Sequence, residues 1–233
     1  MNFIEFKDVT KEYTIGETKL LAVDHINFSI REGEFVVILG PSGAGKSTLL
    51  NLLGGMDYAS SGEITIDGKN ITHYKDDELT EYRATKVGFV FQFYNLIPTL
   101  TALENVTLTK EVTRESMNPN MVLDSVGLKE HSNQFPSQLS GGEQQRVSIA
   151  RAICKNPAML LCDEPTGALD SETGTVILSL LERLCRENNK TVIIVSHNAA
   201  LAQAADKVIH IKNGKITNID VNDHPVDISE VNW

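Results

Sequence analysis

The sequence predicts an α/β fold in which a largely parallel, doubly wound sheet follows an antiparallel β-layer and is interrupted by an inserted helical subdomain. Three observations lead there. Apolar runs at residues 35–39, 159–162 and 191–196 are strand-length and show no polar alternation, as strands covered on both faces require. Helical patterns at 46–53 and 172–187 separate such runs, and strands alternating with helices build a parallel sheet. The opening stretch, residues 3–30, instead alternates apolar and polar residues (Ile4, Phe6, Val9, then Ile26, Phe28, Ile30), which suits half-buried antiparallel strands.

The remaining elements follow in order. Asp67-Gly68 and Asn213-Gly214, each between alternating apolar residues, are two-residue hairpin turns. Residues 76–83 mix acids with Leu79 and Tyr82 and predict a short surface helix with a solvated charged face. Residues 103–138 are helical in pattern but broken by Pro119, Gly127 and Pro136, which marks the subdomain inserted between two halves of the core. The tail, residues 222–233, reads as a loosely held extension.

With 233 residues the chain suffices for one sizeable α/β domain but not for two in tandem, so a paired site must come from a second chain. A formal charge of −10 argues against a nucleic-acid partner and against attachment to anionic lipid headgroups. The apolar runs fall far short of the ~20 residues of a membrane helix, so no direct membrane insertion is expected. The N-terminus carries no basic segment followed by a long apolar stretch, and no secretory signal is read there. Cys154, Cys162 and Cys185 lack metal-ligand spacing and sit in apolar patterns, as buried thiols do.

Gly40, then Pro41, Ser42, Gly43 and Ala44, then Gly45-Lys46-Ser47-Thr48, fits the P-loop pattern between a buried strand and a helix. Glycines let backbone N–H groups converge on phosphate oxygens, Lys46 reaches the β- and γ-phosphates, and Ser47 ligates Mg²⁺. The following helix adds the positive end of its dipole. The strand at 159–162 ends in Asp163-Glu164. Asp163 is placed to hold the Mg²⁺ shell, and Glu164 is free to orient and deprotonate an attacking water. Alone, Asp-Glu after a strand is a polar loop; the P-loop gives it its meaning.

Leu139-Ser140-Gly141-Gly142-Glu143-Gln144-Gln145-Arg146 resembles the signature motif of ABC-type ATPases, and the resemblance extends over nearly the whole chain in the right order. It implies one nucleotide-binding domain over residues 1–233, with a P-loop NTPase (RecA-like) core and a helical subdomain near 93–157. It also implies a head-to-tail homodimer, or pair with another nucleotide-binding subunit, in which Ser140, Gly141 and Gly142 reach the γ-phosphate of ATP held by the other chain. By the same resemblance Gln92 touches Mg²⁺ and water, His197 contacts the γ-phosphate, Asp170 communicates across the dimer, and Tyr13 stacks on adenine. Outside that pattern an isolated tyrosine, histidine or glutamine would be core or surface.

Within the family, Val90-Phe91-Gln92-Phe93-Tyr94-Asn95-Leu96-Ile97-Pro98, Leu103-Glu104-Asn105-Val106 and Pro165-Thr166-Gly167-Ala168-Leu169-Asp170 resemble the branch serving macrolide exporters, lipoprotein-releasing complexes and antimicrobial-peptide transporters, the MacB and LolD type. Two departures stand out: the stretch 106–126 is short, and Asn198 stands where an aspartate commonly follows the histidine. The resemblance implies an integral membrane permease subunit docked near residues 93–100, whose apolar crowding suits an interface. It places the protein in the cytoplasm, on the inner face of the cell membrane through that subunit. A mechanical signalling module on a non-transporting membrane partner is an alternative; a soluble DNA-repair or translation-type ABC protein is disfavoured by the single domain and acidic charge.

Overall fold

In the computed structural model, which describes residues 2–113 and 116–231, two sheets share the chain. β1 (Asn2–Ile15), β2 (Thr18–Arg31), β4 (Ser61–Ile66) and β5 (Lys69–Asn70) form an antiparallel sheet in the order β2-β1-β4-β5. Its hairpin turn places Asp67 and Gly68 at φ 50° and 72°, the left-handed pair such a turn requires.

The second sheet runs β10-β9-β3-β8-β7-β6, from β3 (Phe35–Leu39), β6 (Val87–Val90), β7 (Met159–Asp163), β8 (Thr191–Ser196), β9 (Lys207–Lys212) and β10 (Lys215–Val221). Its pairings are parallel except β9 with β10, which meet through the Asn213-Gly214 turn. β3 explains the apolar runs: Phe35, Val37 and Leu39 enter one core, while Val36 and Ile38 enter another. The first core takes Val147 and Ile149 of α5 (Gly141–Cys154) and Ile177 and Leu181 of α6 (Ser171–Asn188). The second takes Leu49 and Leu52 of α1 (Lys46–Leu53) and Ile4 and Phe6 of β1. A strand covered on both faces has no polar face to show in its sequence.

α2 (Asp76–Thr85) buries Leu79 and Tyr82 and exposes its acids, as expected. α3 (Ala102–Thr107) and α4 (Pro119–Ser125) pack on α5. Pro119 begins a helix rather than breaking one: it occupies the first turn behind an Asn118 cap, where its missing N–H costs nothing. Cys154, Cys162 and Cys185 are buried free thiols.

The tail departs from expectation. Ile228 and Val231 are buried, and the Ile228 N–H donates to Glu182 Oε2 of α6 at 3.1 Å. The polar residues of this stretch suggest a free extension, but Val226, Ile228 and Val231 suffice to seat it against the first core. Trp233 lies outside the described residues. Among the described residues no helix is long and apolar enough to cross a membrane.

Candidate functional site

The carboxyl ends of the parallel strands β3, β6, β7 and β8 lead into Gly40, Gln92, Glu164 and His197, the edge where open α/β sheets bind ligands. There a cleft of about 770 Å³ is lined by Tyr13, Ser42, Gly43, Gly45, Lys46, Ser47, Thr48, Gln92, Asp163, Glu164 and His197. Eleven residues separated by up to 184 positions in the chain therefore meet in one place.

The phosphate loop owes its shape to its glycines. Gly43 and Gly45 lie at φ 76° and 101°, and a Cβ on Gly45 would fall 2.1 Å from the Ala22 carbonyl oxygen. A Cβ on Gly40 would strike the Ile211 carbonyl oxygen at 2.2 Å, so that glycine serves the packing of β9 beside the loop. Lys46 Nζ donates to the carbonyls of Gly40 and Pro41 at 2.7 and 3.0 Å, holding its ammonium under the loop.

Ser47 Oγ donates to Asp163 Oδ1 at 3.5 Å, which sets a hydroxyl and a carboxylate side by side. Burial, with Glu164 adding to it, raises the Asp163 carboxyl above its usual range against the opposing pull of Ser47 and Lys46. Hard oxygen donors beside a buried carboxylate fit Mg²⁺, which takes few protein ligands and completes its shell with phosphate oxygens and water. Gln92 lines the same cleft and offers a further oxygen.

Glu164 adopts φ 47°, an uncommon left-handed backbone for a non-glycine residue, and its N–H donates to the Val195 carbonyl at 3.0 Å. That turn sends adjacent carboxylates to different partners: Asp163 to Ser47, and Glu164 to His197. Glu164 Oε1 lies 3.0 Å from His197 Nδ1, and Ser196 Oγ donates to Oε2 at 3.4 Å. An acceptor at Nδ1 puts the neutral imidazole proton there and leaves Nε2 as its free nitrogen. The His197 side chain is 72% exposed, so this nitrogen sits on an open wall.

Pocket, phosphate cradle and carboxylate pair together describe a nucleoside triphosphatase, and the sequence model of the ABC transporter family matches residues 23–167. The chain belongs to the ABC transporter family. It is an ATP-binding cassette with ATPase chemistry. It is 46% identical over 222 residues to MJ0796 of Methanocaldococcus jannaschii, an uncharacterized ABC transporter ATP-binding protein, covering 91% of this chain and 94% of that one. The macrolide export ATP-binding/permease protein MacB of Mannheimia succiniciproducens is 42% identical over 231 residues, 97% of this chain but 36% of that longer protein. Among solved structures, the dimeric post-hydrolysis state of the MJ0796 cassette bound to ADP and Pi superposes with a TM-score of 0.86 at 44% identity, covering 94% of this chain and 98% of that one.

In the cassette Ser140, Gly141, Gly142 and Asp170 stand apart from the cleft. Ser140 caps α5, accepting from the Glu143 N–H at 3.3 Å and donating to Glu143 Oε2 at 2.8 Å. Asp170 caps α6, accepting from the Thr173 N–H at 2.9 Å and from Thr173 Oγ1 at 2.8 Å. Both residues are exposed. Asn198 likewise caps the turn after β8, accepting from the Ala200 N–H at 3.0 Å, as the aspartate usual at that place could.

The loop after β6 divides into two kinds of residue. Phe93 and Ile97 are exposed at 74% and 40%, whereas Tyr94 is half-buried and Leu96 packs against the first core. Asn105, fully buried, donates to the carbonyls of Ile97, Leu100 and Thr101, and Arg151 donates to those of Tyr94 and Asn95. The loop is therefore braced from within. Missing from the sequence reading are Leu20, Leu21 and Ala22 of β2 and the Asn213-Gly214 turn, all of which line the cleft. The turn's signal was present, since Gly214 N–H donates to the Ala44 carbonyl of the phosphate loop at 2.9 Å, but a hairpin motif does not announce what it touches.

Proposed function

We propose that two copies of this cassette close head to tail on two Mg·ATP molecules and hydrolyse them. Closing and reopening drive a membrane-embedded permease subunit in the export or extraction of a peptide, lipoprotein or drug-like hydrophobic substrate. One observation carries the pairing: the cleft gathers Ser42, Gly43, Gly45, Lys46, Ser47 and Thr48 of the phosphate loop with Gln92, Asp163, Glu164 and His197, while Ser140, Gly141, Gly142 and Asp170 stand outside it. The cleft and the signature residues can meet on one nucleotide only if a second chain supplies one of them. The MJ0796 cassette, bound to ADP and Pi after hydrolysis, is itself dimeric, which supports the pairing.

In this reading Gly40, Ser42, Gly43, Gly45 and Thr48 shape the phosphate cradle, Lys46 neutralises the β- and γ-phosphates, and Tyr13 stacks on adenine. Ser47 and Asp163, with Gln92, hold Mg²⁺, which supplies neutralisation of charge on the phosphate oxygens. Glu164 orients water in line with the γ-phosphate and takes its proton, and His197, oriented by Glu164, contacts the γ-phosphate. Phe93 and Ile97 dock the permease, which holds the cassette on the cytoplasmic face of the membrane. The name of the MacB relative, an ATP-binding/permease protein, supports a membrane partner of the exporter type.

Glu164→Gln tests the scheme. It removes the base while keeping a polar side chain of the same shape, so turnover should fall about 10²- to 10⁴-fold and a dimer should persist with Mg·ATP on a sizing column. A variant that stays monomeric with Mg·ATP, while the unaltered protein hydrolyses normally, overturns the paired site. Substrate movement by the cassette reconstituted with its copurifying membrane protein tests the transport reading.

A further inference from the structure

Outside the phosphate cradle, one polar network faces the cleft without an assigned task. The Tyr13 hydroxyl donates to Asp57 Oδ2 at 2.7 Å and also meets the Thr48 side chain on α1. The other Asp57 oxygen accepts from Lys11 Nζ at 2.5 Å and from the Tyr58 N–H at 2.7 Å. Lys11 Nζ donates further to the Tyr58 carbonyl at 2.8 Å and lies 4.8 Å from the centre of the Tyr13 ring. The Lys11 and Asp57 side chains are only 12% and 24% exposed, so the pair is largely withdrawn from water.

This arrangement constrains the ring more than packing alone would. A tyrosine at the end of a strand sweeps its ring through two torsions; here its oxygen is fixed at one end and a cation covers the ring. Asp57 follows α1 in sequence, and Thr48 lies in its first turn. The ring is thereby tied to the helix that carries the phosphate loop. Burial opposes ionisation of Asp57, but hydrogen bonds from Lys11, Tyr13 and the Tyr58 N–H outweigh it and hold the carboxyl below its usual range.

We propose that Asp57, held by Lys11, is a positioning residue for the base: it fixes the Tyr13 ring at a set distance and angle from the phosphate cradle and thereby raises affinity for ATP. The inference rests on the proposed stacking of Tyr13 on adenine. Without the Asp57 anchor, binding must immobilise the ring itself, which should weaken ATP about 3- to 10-fold.

The test is a cycle of Tyr13→Phe, Asp57→Ala and the double variant, with ATP dissociation constants measured in the presence of EDTA and steady-state kinetics with Mg·ATP. Each single variant should raise Kd and KM about 3- to 10-fold with the loss falling on KM rather than kcat, and the double should lose no more than either alone. Additive losses, a fall in kcat at unchanged Kd, or no change in Kd overturn the proposal. Should Asp57→Ala not fold, Tyr13→Phe, which removes the donated bond while leaving Asp57 paired with Lys11, carries the test alone under the same limits on Kd, KM and kcat. Tyr13→Ala separates the two layers of inference. If it leaves ATP affinity unchanged, the stacking reading itself fails; if it weakens ATP while Asp57→Ala does not, only the positioning role fails.

Discussion

Gly142 shows how the signature segment depends on a neighbour that is not part of it. The second glycine of that segment is buried, and a Cβ built on it would lie 2.3 Å from Thr173 Cγ2 on α6. That is about 1.1 Å short of the 3.4 Å at which ordinary contact begins. Thr173 cannot turn away freely, because its hydroxyl donates to Asp170 Oδ2 and its N–H to Oδ1. Gly142→Ala must therefore either break the hydroxyl bond to Asp170 or push the start of α5 away from the start of α6. Overpacking of this kind costs about 1–3 kcal/mol, a fall in Tm of about 2–12 °C for a chain of this length. Because Ser140 and Asp170 ride on those two helix ends, ATPase turnover should fall by roughly 10- to 100-fold, the scale of an ångström's misplacement. Thr173→Ser removes the obstructing methyl and keeps the hydroxyl, so in the double variant Tm and turnover should recover, with a coupling of about 0.5–3 kcal/mol. Thermal melts and a phosphate-release assay on the two single variants and the double read both quantities. Gly142→Ala that melts and turns over normally, or a loss that Thr173→Ser leaves untouched, refutes the steric argument.

Two further outcomes follow from the packing. Ile228→Ala should destabilise the protein by about 2–5 kcal/mol, seen as a lowered urea midpoint, because Ile228 is fully buried; a surface-like effect below about 0.5 kcal/mol would return the tail to a free extension. Replacing Phe93 and Ile97 together by Asp should abolish copurification of the membrane subunit while leaving Tm within a few degrees, since both side chains are exposed and the loop is braced by Asn105 and Arg151; intact assembly would move the docking surface elsewhere.

What could be read from the sequence follows from how local each constraint is. Phosphate binding needs glycines, a lysine and a hydroxyl within nine consecutive residues, so Gly40 to Thr48 spells its chemistry outright. Asp163 and Glu164 are adjacent in sequence, and a strand end announces them, though nothing in the sequence shows that a left-handed turn at Glu164 would divide their partners. The β2 wall of the cleft is out of reach of the sequence because Leu20, Leu21 and Ala22 come to line the cleft only after the two sheets pack. The loop at 93–100 presents a similar limit. Phe93 and Leu96 are equally apolar on paper, yet one faces out and the other packs on the first core, in a loop that turns through a left-handed Asn95 and is braced by Asn105 and Arg151. Composition misleads in the tail, where polar residues outnumber the few apolar ones that hold it.

The cleft, the signature segment and the proposed docking loop meet on α5. Gln145, fully buried one turn into this helix, donates through Nε2 to the Pro165 carbonyl at 2.8 Å and to the Phe91 carbonyl at 3.3 Å. Pro165 follows Glu164, and Phe91 precedes Gln92. One side chain thus joins the signature helix to the backbone beside the proposed base and beside the proposed metal ligand. Further along the same helix, Arg151 holds the carbonyls of Tyr94 and Asn95 at 3.1 and 2.7 Å. At its start, Gly141 leaves room for the Tyr94 hydroxyl, which a Cβ would meet at 2.8 Å. A helix is stiff along its axis, and buried hydrogen bonds of this kind are costly to leave unmade. The loop bearing Phe93 therefore cannot shift by itself: either α5 moves with it and carries Ser140 and Gln145, or the Arg151 bonds to Tyr94 and Asn95 break. That physical tie gives a partner bound at Phe93 and Ile97 a route to the nucleotide without contact to it.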